Sequence, residues 1–324
     1  MNWGGASAAR LPDGRLHLQH GPIDLIIEAW GAPAEVDAAY KQAGARFENI
    51  LEELVQELAL LRAPLAADQT VLRGPVARRM RAACWPHRAQ FITPMAAVAG
   101  SVADETLQAL LIDRELDRAY VNNGGDIALH LASGRVLKLG VVNNVDNPAI
   151  DAMVTLTAVM PVRGLATSGW RGRSQSLGIA DAVTVFAANA AAADAAATMV
   201  ANAVNVAHPA IMRAPARSLR ADSDLGELPV TVAVGALPAT TRACALENGC
   251  ARARELQRKG LVHSAYLALQ GEIRSVLPVG ELVERQAQSP HGSSSVLSSK
   301  PSSESPSTAL TAFTRARISK GLVI

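Results

Sequence analysis

Residues 187–203 read AANAAAADAAATMVANA, a helix-forming stretch with almost no side-chain volume. A helix this smooth buries little apolar surface of its own, so its use is to let another backbone or a bulky ligand come close. It follows the β-branched run AVTVFAA, which predicts a strand leading directly into the helix. Two polar side chains interrupt the methyl surface, Asp194 and Thr198, four residues apart and therefore on one helix face. A carboxylate and a hydroxyl one turn apart are hard oxygen donors of the kind magnesium takes, the remaining ligands coming from water and substrate phosphate. The competing reading is an aspartate that caps a helix N-terminus beside a threonine bonded back to a carbonyl.

Such a helix needs a surrounding core, and 324 residues at 49% hydrophobic content supply one, either as a single large domain or as two ordinary ones. The formal net charge of +2 gives no global reason to expect nucleic acid or an anionic membrane as partner, so any anion site is local. Cys84, Cys244 and Cys250 are too few and wrongly spaced for a disulfide scaffold, which favours a reducing compartment. The opening MNWGGASAARLPDG lacks the apolar core of a signal peptide, and Asn189, Asp194 and Asn202 break the Ala-rich run that comes nearest to a membrane span. The expectation is a soluble, cytoplasmic protein.

Along the chain, GRLHLQHGPIDLIIEAWG reads as two strands around His20-Gly21-Pro22. One long helix is then expected from Pro33 to Arg62, with Val36, Tyr40, Phe47, Ile50, Leu51, Leu54, Leu58 and Leu61 as its apolar stripe. RGPVARRMRAACWPHR gathers arginines, read either as a local anion patch or as an exposed basic face. TPMAAVAGSVADETLQALL predicts a helix suited to close packing, with Pro94 in its first turn. RAYVNNGGDIALHLASGRVLKLGVV then gives three strands separated by turns, and MVTLTAVM adds another. A strand, a helix and a hairpin turning at Gly271-Glu272 close the ordered part. Hairpins mixed with long helices predict an α+β fold. The expected organisation is a flexible N-terminus over 1–10, one domain over 11–285, and a Ser/Pro-rich disordered tail over 286–324.

The loop ATSGWRGRS supplies Thr167, Ser168, Gly169, Trp170, Arg171, Arg173 and Ser174. Its glycines let backbone N–H groups face an anion and its arginines can clamp phosphate, while Trp170 is a ring in a chain that is only 3% aromatic. A plain glycine-rich surface loop is the alternative. In NNGGDI, Gly124 and Gly125 precede Asp126 at a hairpin mouth, where the carboxylate can reach a ligand and joins Asp194 as a catalytic candidate. Turns use the same residues for backbone reasons alone. The histidines carry no HxH or HExxH spacing, and no GxSxG, Walker or GxGxxG motif is present.

The order NNGGDI, strand, ATSG, β-run, ADAAAT resembles the signatures of the ApbE superfamily, the FAD:protein FMN transferases. The resemblance extends to HLQHGPIDLIIEA, ITPMAAVAGSVAD, ATSGWRGRSQSLGIADAVTV and ALQGEI, and so covers roughly residues 11 to 285, closest to the ApbE-like branch of that superfamily. It implies an ApbE-like, T-fold-related α+β fold with mixed sheets, long helices and a ligand cleft between two halves. It also implies magnesium held by Asp194, Thr198 and the carbonyl of Ala166 against a dinucleotide pyrophosphate. FAD is then the implied substrate, with FMN transfer to a protein threonine, or pyrophosphate cleavage, as the reaction and AMP as the released product. A divergent enzyme on another phosphate-bearing or heterocyclic substrate, and a non-catalytic flavin- or nucleotide-binding module, remain alternatives. The departure is local: where the transferases carry a His-Ile-Ile-Asp-Pro-type motif, this chain has RGRSQSLGIADAV.

Overall fold

The hairpins read from the sequence assemble into one antiparallel sheet. A computed structural model describes residues 4–65, 71–141, 152–172, 174–278 and 321–323. The chain begins with β1 (Ser7–Arg10), β2 (Leu16–His20) and β3 (Ile23–Gly31). Helices α1 (Pro33–Phe47), α2 (Ile50–Gln56), α3 (Leu58–Leu61), α4 (Pro75–Cys84) and α5 (Val98–Leu111) follow. Then come β4 (Leu116–Asn123), β5 (Asp126–Leu131), β6 (Val136–Val141), β7 (Ala152–Thr157), β8 (Gly164–Ser168) and β9 (Ala182–Ala187). The Ala-rich helix is α6 (Ala190–Ala203), followed by β10 (Ile211–Pro215), α7 (Ala216–Leu219), β11 (Pro229–Val234) and α8 (Ala239–Arg258). The last elements are β12 (Ser264–Leu269), β13 (Glu272–Val276) and β14 (Gly321–Val323).

Two compact units result. Residues 1–136 and 157–281 form the first, and residues 137–156 with 282–324 the second. The first holds a nine-stranded sheet in the order β1-β2-β3-β4-β5-β8-β9-β12-β13, with the hairpin β10-β11 beside it in sequence. The second is built on a three-stranded sheet, β14-β6-β7, in which β14 runs parallel to β6. An antiparallel sheet with its helices drawn from separate stretches of chain is the α+β class expected. Ser7–Arg10, assigned by sequence to the N-terminal arm, pair with β2 as an edge strand. The Ser/Pro-rich stretch lies outside the described residues up to Lys320.

Two local expectations need correction. The single helix over 33–62 is broken at Glu48–Asn49 and again at Glu57, giving α1, α2 and α3. Asn is a poor helix-interior residue because its amide competes for backbone groups. Across the breaks Phe47, Ile50, Leu51, Leu54 and Leu61 all stay buried. The closing hairpin turns at Gln270-Gly271, one residue earlier than read, with φ of +47° and +80°. Positive φ at both central residues is the geometry a two-residue turn between twisted strands requires.

The core divides along the sheet. Leu18, Leu25, Ile27, Val121 and Ala128 pack with Phe47, Ile50, Met80 and Leu110 over its first strands. Ala166, Val183, Val185 and Leu267 pack with Val200, Leu246 and Ala253 over its last ones. Helix α6 runs between these regions and is buried on nearly every side, touching β8, β9, α5, α4 and α8. That is why it is alanine. A Cβ on Gly164 of β8 would lie 2.0 Å from the Ala190 nitrogen, and one on Gly100 of α5 would lie 2.3 Å from the Ala190 oxygen. The start of α6 thus rests directly on the backbone of a strand and of a helix.

Candidate functional site

The crossing of α5 and α6 is where the separated motifs meet. Each helix leaves its first amides without intrahelical acceptors, and each receives a carboxylate from the other. Asp194 of α6 accepts the Gly100 N–H at 3.0 Å, and the Ala99 amide also bonds to it. Asp104 of α5 accepts the Ala190 N–H at 3.0 Å through Oδ1 and the Ala191 N–H at 2.9 Å through Oδ2. Asn189 completes the start of α6 by accepting the Ala192 N–H at 2.8 Å. This reciprocal capping places two acids where the positive ends of two helix dipoles stabilise them.

Burial opposes that stabilisation. It pushes the Asp194 carboxyl up to about 7 against the pull of the Gly100 and Ala99 amides, and the like charge of Asp104 adds to the rise. Asp104 is raised as well, by burial, although its two amide bonds and Arg79 draw it down. The Cys84 thiol on α4 is pushed well up by burial and then by the charges of Asp194 and Asp224, so these acids lie within electrostatic reach of one thiol. Asp224 in turn accepts a hydrogen bond from Thr93, the residue before Pro94. Further along α5, burial raises Glu105 but Arg46 and Arg79 more than reverse it, at 2.8 and 2.7 Å.

The hairpin mouth reaches the same helix end. Asn123 donates to the Ala99 carbonyl at 3.1 Å, tying β4 to the first turn of α5. Gly124 and Gly125 adopt φ of +65° and +108°, and Asn122 accepts the Gly125 N–H at 2.8 Å. Both glycines therefore serve the turn. Asp126 pairs with Asn123 across β4 and β5. Ile127 pairs with Leu165, so extending that register by one residue brings Asp126 level with Ala166. Ala166 is buried and shares its core with Ala193, Ala196 and Ala197, the alanines that flank Asp194 and Thr198. Asp194 and Thr198 are both only partly exposed.

The loop after β8 is organised by a residue that sequence reading missed. Asp181 accepts from Trp170 Nε1 at 3.2 Å and from Arg171 Nε at 2.9 Å on one oxygen, and from the Gln270 N–H at 2.5 Å on the other. The Arg171 guanidinium also lies 4.7 Å from the Trp170 ring centroid. A Cβ on Gly169 would stand 2.4 Å from the Asp181 carbonyl oxygen, so only glycine lets the loop lie this close. Thr167 and Thr184 share a hydroxyl hydrogen bond at 2.8 Å across β8 and β9. Ser174 is exposed, and Arg173 lies outside the described residues. Strands β5 and β8, which carry Asp126 and Ala166, both pack against α6, the helix of Asp194 and Thr198. Trp170 and Arg171 are instead folded onto Asp181. Asp104, Asn123 and Asp181 were visible in the sequence as the last residue of ITPMAAVAGSVAD, the second asparagine of NNGGDI and the acid of GIADAV. Nothing in a linear pattern says that two acids ninety residues apart cap each other's helices.

A family model described as AbpE bacteria matches residues 8–275. A UPF0280 protein of Methanothermobacter thermautotrophicus is 37% identical over 136 residues, covering 42% of this chain and 51% of that protein. One from Archaeoglobus fulgidus is 36% identical over 134 residues, covering 40% and 51%. The alignments thus span about half the length of these relatives. Among solved structures, the ApbE protein of Thermotoga maritima aligns over 83% of this chain and 96% of its own, with 12% identity and a TM-score of 0.41. A variant of the flavin transferase ApbE from Vibrio cholerae aligns over 84% and 96%, with 12% identity and a TM-score of 0.35. Among the described residues no helix is long and apolar enough to cross a membrane, and no three His, Cys, Asp or Glu side chains group as metal ligands.

Proposed function

Because the chain belongs to the AbpE bacteria family, whose model spans residues 8–275, we propose that it is a magnesium-dependent enzyme acting on a phosphate-bearing or heterocyclic substrate, with FAD the first candidate. Asp194, Thr198 and the Ala166 carbonyl are its metal donors in this reading. The observation that carries it is the Asp194 carboxyl, pushed up to about 7 by burial and further by Asp104, on a helix face shared with a hydroxyl. Such a carboxylate would be relieved by a divalent cation, and the donor set is all oxygen, as magnesium prefers. A carboxylate has about four lone-pair sites, so the N–H groups of Ala99 and Gly100 fix the orientation of Asp194 without using up its acceptor capacity. Bound magnesium would supply charge neutralisation on a pyrophosphate.

The chain's own residues supply the rest. Asp194 and Thr198 present oxygens from a rigid, buried helix, and Asn123 holds the first turn of α5 against the hairpin that carries Asp126. In this scheme an acceptor hydroxyl, from a protein threonine or from water, attacks the FMN phosphorus of FAD. A new phosphorus–oxygen bond forms, the pyrophosphate bond breaks, AMP leaves, and Asp126 receives the hydroxyl proton. Backbone N–H groups of the Ser168–Gly169 segment and the terminal nitrogens of Arg171, whose Nε is held by Asp181, are the phosphate donors in this reading.

The loop RGRSQSLGIADAV, which stands where the transferases carry their His-Ile-Ile-Asp-Pro-type motif, favours a second reading, a non-catalytic flavin- or nucleotide-binding module. Titration of the purified chain with FAD, with and without magnesium, followed by chromatography for AMP and FMN, separates the two. Magnesium-dependent AMP release supports the enzyme. Tight binding with FAD recovered intact supports the module. No binding of FAD under either condition removes flavin as the ligand and redirects the search to other nucleotides.

A further inference from the structure

Helix α4 has one apolar face and one basic face. Val76, Ala77, Met80 and Cys84 on the first are buried, and Cys84 packs with Ala195 and Met199 of α6. The other face carries Arg78, Arg81, Ala82 and Trp85, whose spacings of three, four and seven residues place them in one row. The helix runs on into a 3-10 turn, Trp85–His87, with Arg88 at its end. The Arg81 guanidinium lies 4.6 Å and that of Arg88 4.3 Å from the Trp85 ring centroid. Arg88 also donates to the Trp85 carbonyl at 3.0 Å, and Arg78 to the Arg73 carbonyl at 2.8 Å.

The row is not neutralised from within the chain. From Gln69 to Ala103 there are five arginines and no acid. Arg79, beside the row, is paired with Glu105. Among the described residues the side chains of Arg73, Arg78, Arg81 and Arg88 pair with no carboxylate; their contacts are the two carbonyls and the indole. Glu57 reaches the start of α4 but spends its oxygens on the backbone N–H groups of Arg73 and Gly74. Arginine fares differently elsewhere: Arg46, Arg62, Arg114, Arg135, Arg217 and Arg254 all hold a carboxylate. Helix α4 also lacks an acid in its first turn, where one would be stabilising, and like charges one turn apart repel. The row therefore works against the helix that carries it, whereas a face serving solubility alone would mix the two signs.

Stacking on an indole holds the plane of a guanidinium, so less freedom is lost when a pair of oxygens docks on its edge. Arginine throughout, with no lysine, suits planar anions gripped through two hydrogen bonds. Arg78 to Trp85 spans about 10 Å at a rise of about 1.5 Å per residue. About three residues of extended peptide cover that length, with alternate side chains about 7 Å apart on one side. Trp85 is half-buried and already stacked, so it is not a free ring for a nucleobase or for insertion into lipid. We infer that this row is a docking surface for an acidic segment of a partner protein, its carboxylates meeting Arg78, Arg81 and Arg88. The surface rests on neither the metal reading of Asp194 nor FAD.

The probe is a fluorescein-labelled peptide of alternating Glu and Asp, titrated by anisotropy into the full chain at pH 7 and about 0.15 M salt, with the Gln/Asn peptide as its neutral match. The expected result is saturable binding of the acidic peptide in the micromolar range and none of the neutral one. Arg81→Gln and Arg88→Gln should each weaken it about fivefold or more, while Arg258→Gln, at an exposed position at the end of α8, should leave it unchanged. In the wild type, saturating peptide should protect Arg81 and Arg88 from phenylglyoxal, read by mass spectrometry, which fixes the location even if a variant fails to fold. No binding at this salt, equal binding of the neutral peptide, or equal losses in Arg81→Gln and Arg258→Gln would overturn the inference. Tighter binding of a thymidine oligonucleotide or of phosphatidylglycerol vesicles than of the acidic peptide would overturn the class of partner.

Discussion

The same substitution, glycine to alanine inside a helix, should have opposite consequences in α1 and α5. Alanine gains about 0.5–1 kcal/mol over glycine in a helix interior because it removes backbone freedom from the unfolded chain. At Gly44 in α1 a Cβ would meet nothing within 4 Å, so Gly44→Ala should show that gain unopposed. At Gly100 a Cβ would lie 2.3 Å from the Ala190 oxygen, 2.5 Å from its carbonyl carbon and 2.8 Å from the Ala191 nitrogen. These are backbone atoms and cannot rotate away. Ordinary contact begins near 3.5 Å, so α5 and α6 must separate by about 1 Å. That displacement stretches the caps at 2.9–3.0 Å between Asp104 and the Ala190 and Ala191 amides, and between Asp194 and the Gly100 amide, beyond useful range. Overpacking of this kind costs about 1–3 kcal/mol, and weakening of charge-assisted bonds adds to it without being fully additive. A net loss of about 3 kcal/mol is expected for Gly100→Ala. Urea unfolding followed by far-ultraviolet circular dichroism and tryptophan fluorescence reads both variants against wild type. If Gly100→Ala is as stable as Gly44→Ala, the close crossing and the reciprocal caps are wrong.

Asp104→Ala strips the acceptor from two amides at the start of α6 and should cost about 1–2 kcal/mol in the same unfolding assay, with Asp104→Asn costing less because it keeps one oxygen and removes a buried charge. His87 is held neutral in the folded chain, lowered from 6.5 to about 4, so the unfolded chain binds the extra proton between those values and stability must fall as pH drops through that window. Between pH 7 and pH 5 the loss from this group should be about 2 kcal/mol, and His87→Phe should remove that part of the acid limb from a pH series of urea midpoints. Asp181→Asn should loosen Trp170 and Arg171 from the sheet, seen as a red shift and easier iodide quenching of tryptophan emission; an unchanged spectrum would mean that the loop is held by Gly169 packing alone.

How much was legible follows from what kind of signal each feature leaves. The hairpin β4–β5 was readable because NNGG is turn chemistry at a two-residue connection. The strand before α6 and the helix itself were readable from composition, since β-branched residues and alanines have opposed preferences. The break of the long first helix into α1, α2 and α3 was not, because its apolar spacing continues through Glu48–Asn49 and Glu57 as if nothing happened. Where a helix breaks to keep its apolar side chains packed is a tertiary constraint that spacing does not encode. At the site, the placement of Asp194 and Thr198 one turn apart on α6 was readable from helical spacing, and of the capping alternative weighed beside it the structure shows Asp194 as a cap, of α5 rather than of its own helix. The loop reads equally as a phosphate cradle with a stacking ring or as a plain glycine-rich surface loop. Its Arg171 and Trp170 pair with Asp181, a partner eleven residues from Trp170 and brought back by the turn into β9. Long-range pairing of this sort appears only once the sheet exists.

In the proposed site Asp194 and Thr198 hold a divalent cation against a phosphate-bearing ligand. Manganese(II) is a spectroscopic substitute for magnesium at oxygen-donor sites, and its free-ion paramagnetic resonance signal falls as it binds. The most direct measurement is a manganese titration of the full chain in the presence of FAD, repeated with Asp194→Asn and Thr198→Val. The wild type should bind one equivalent saturably, with competition by magnesium, and Asp194→Asn should lose that binding. Binding that is identical in wild type and Asp194→Asn, or absent from both, would contradict it and leave Asp194 as a helix cap.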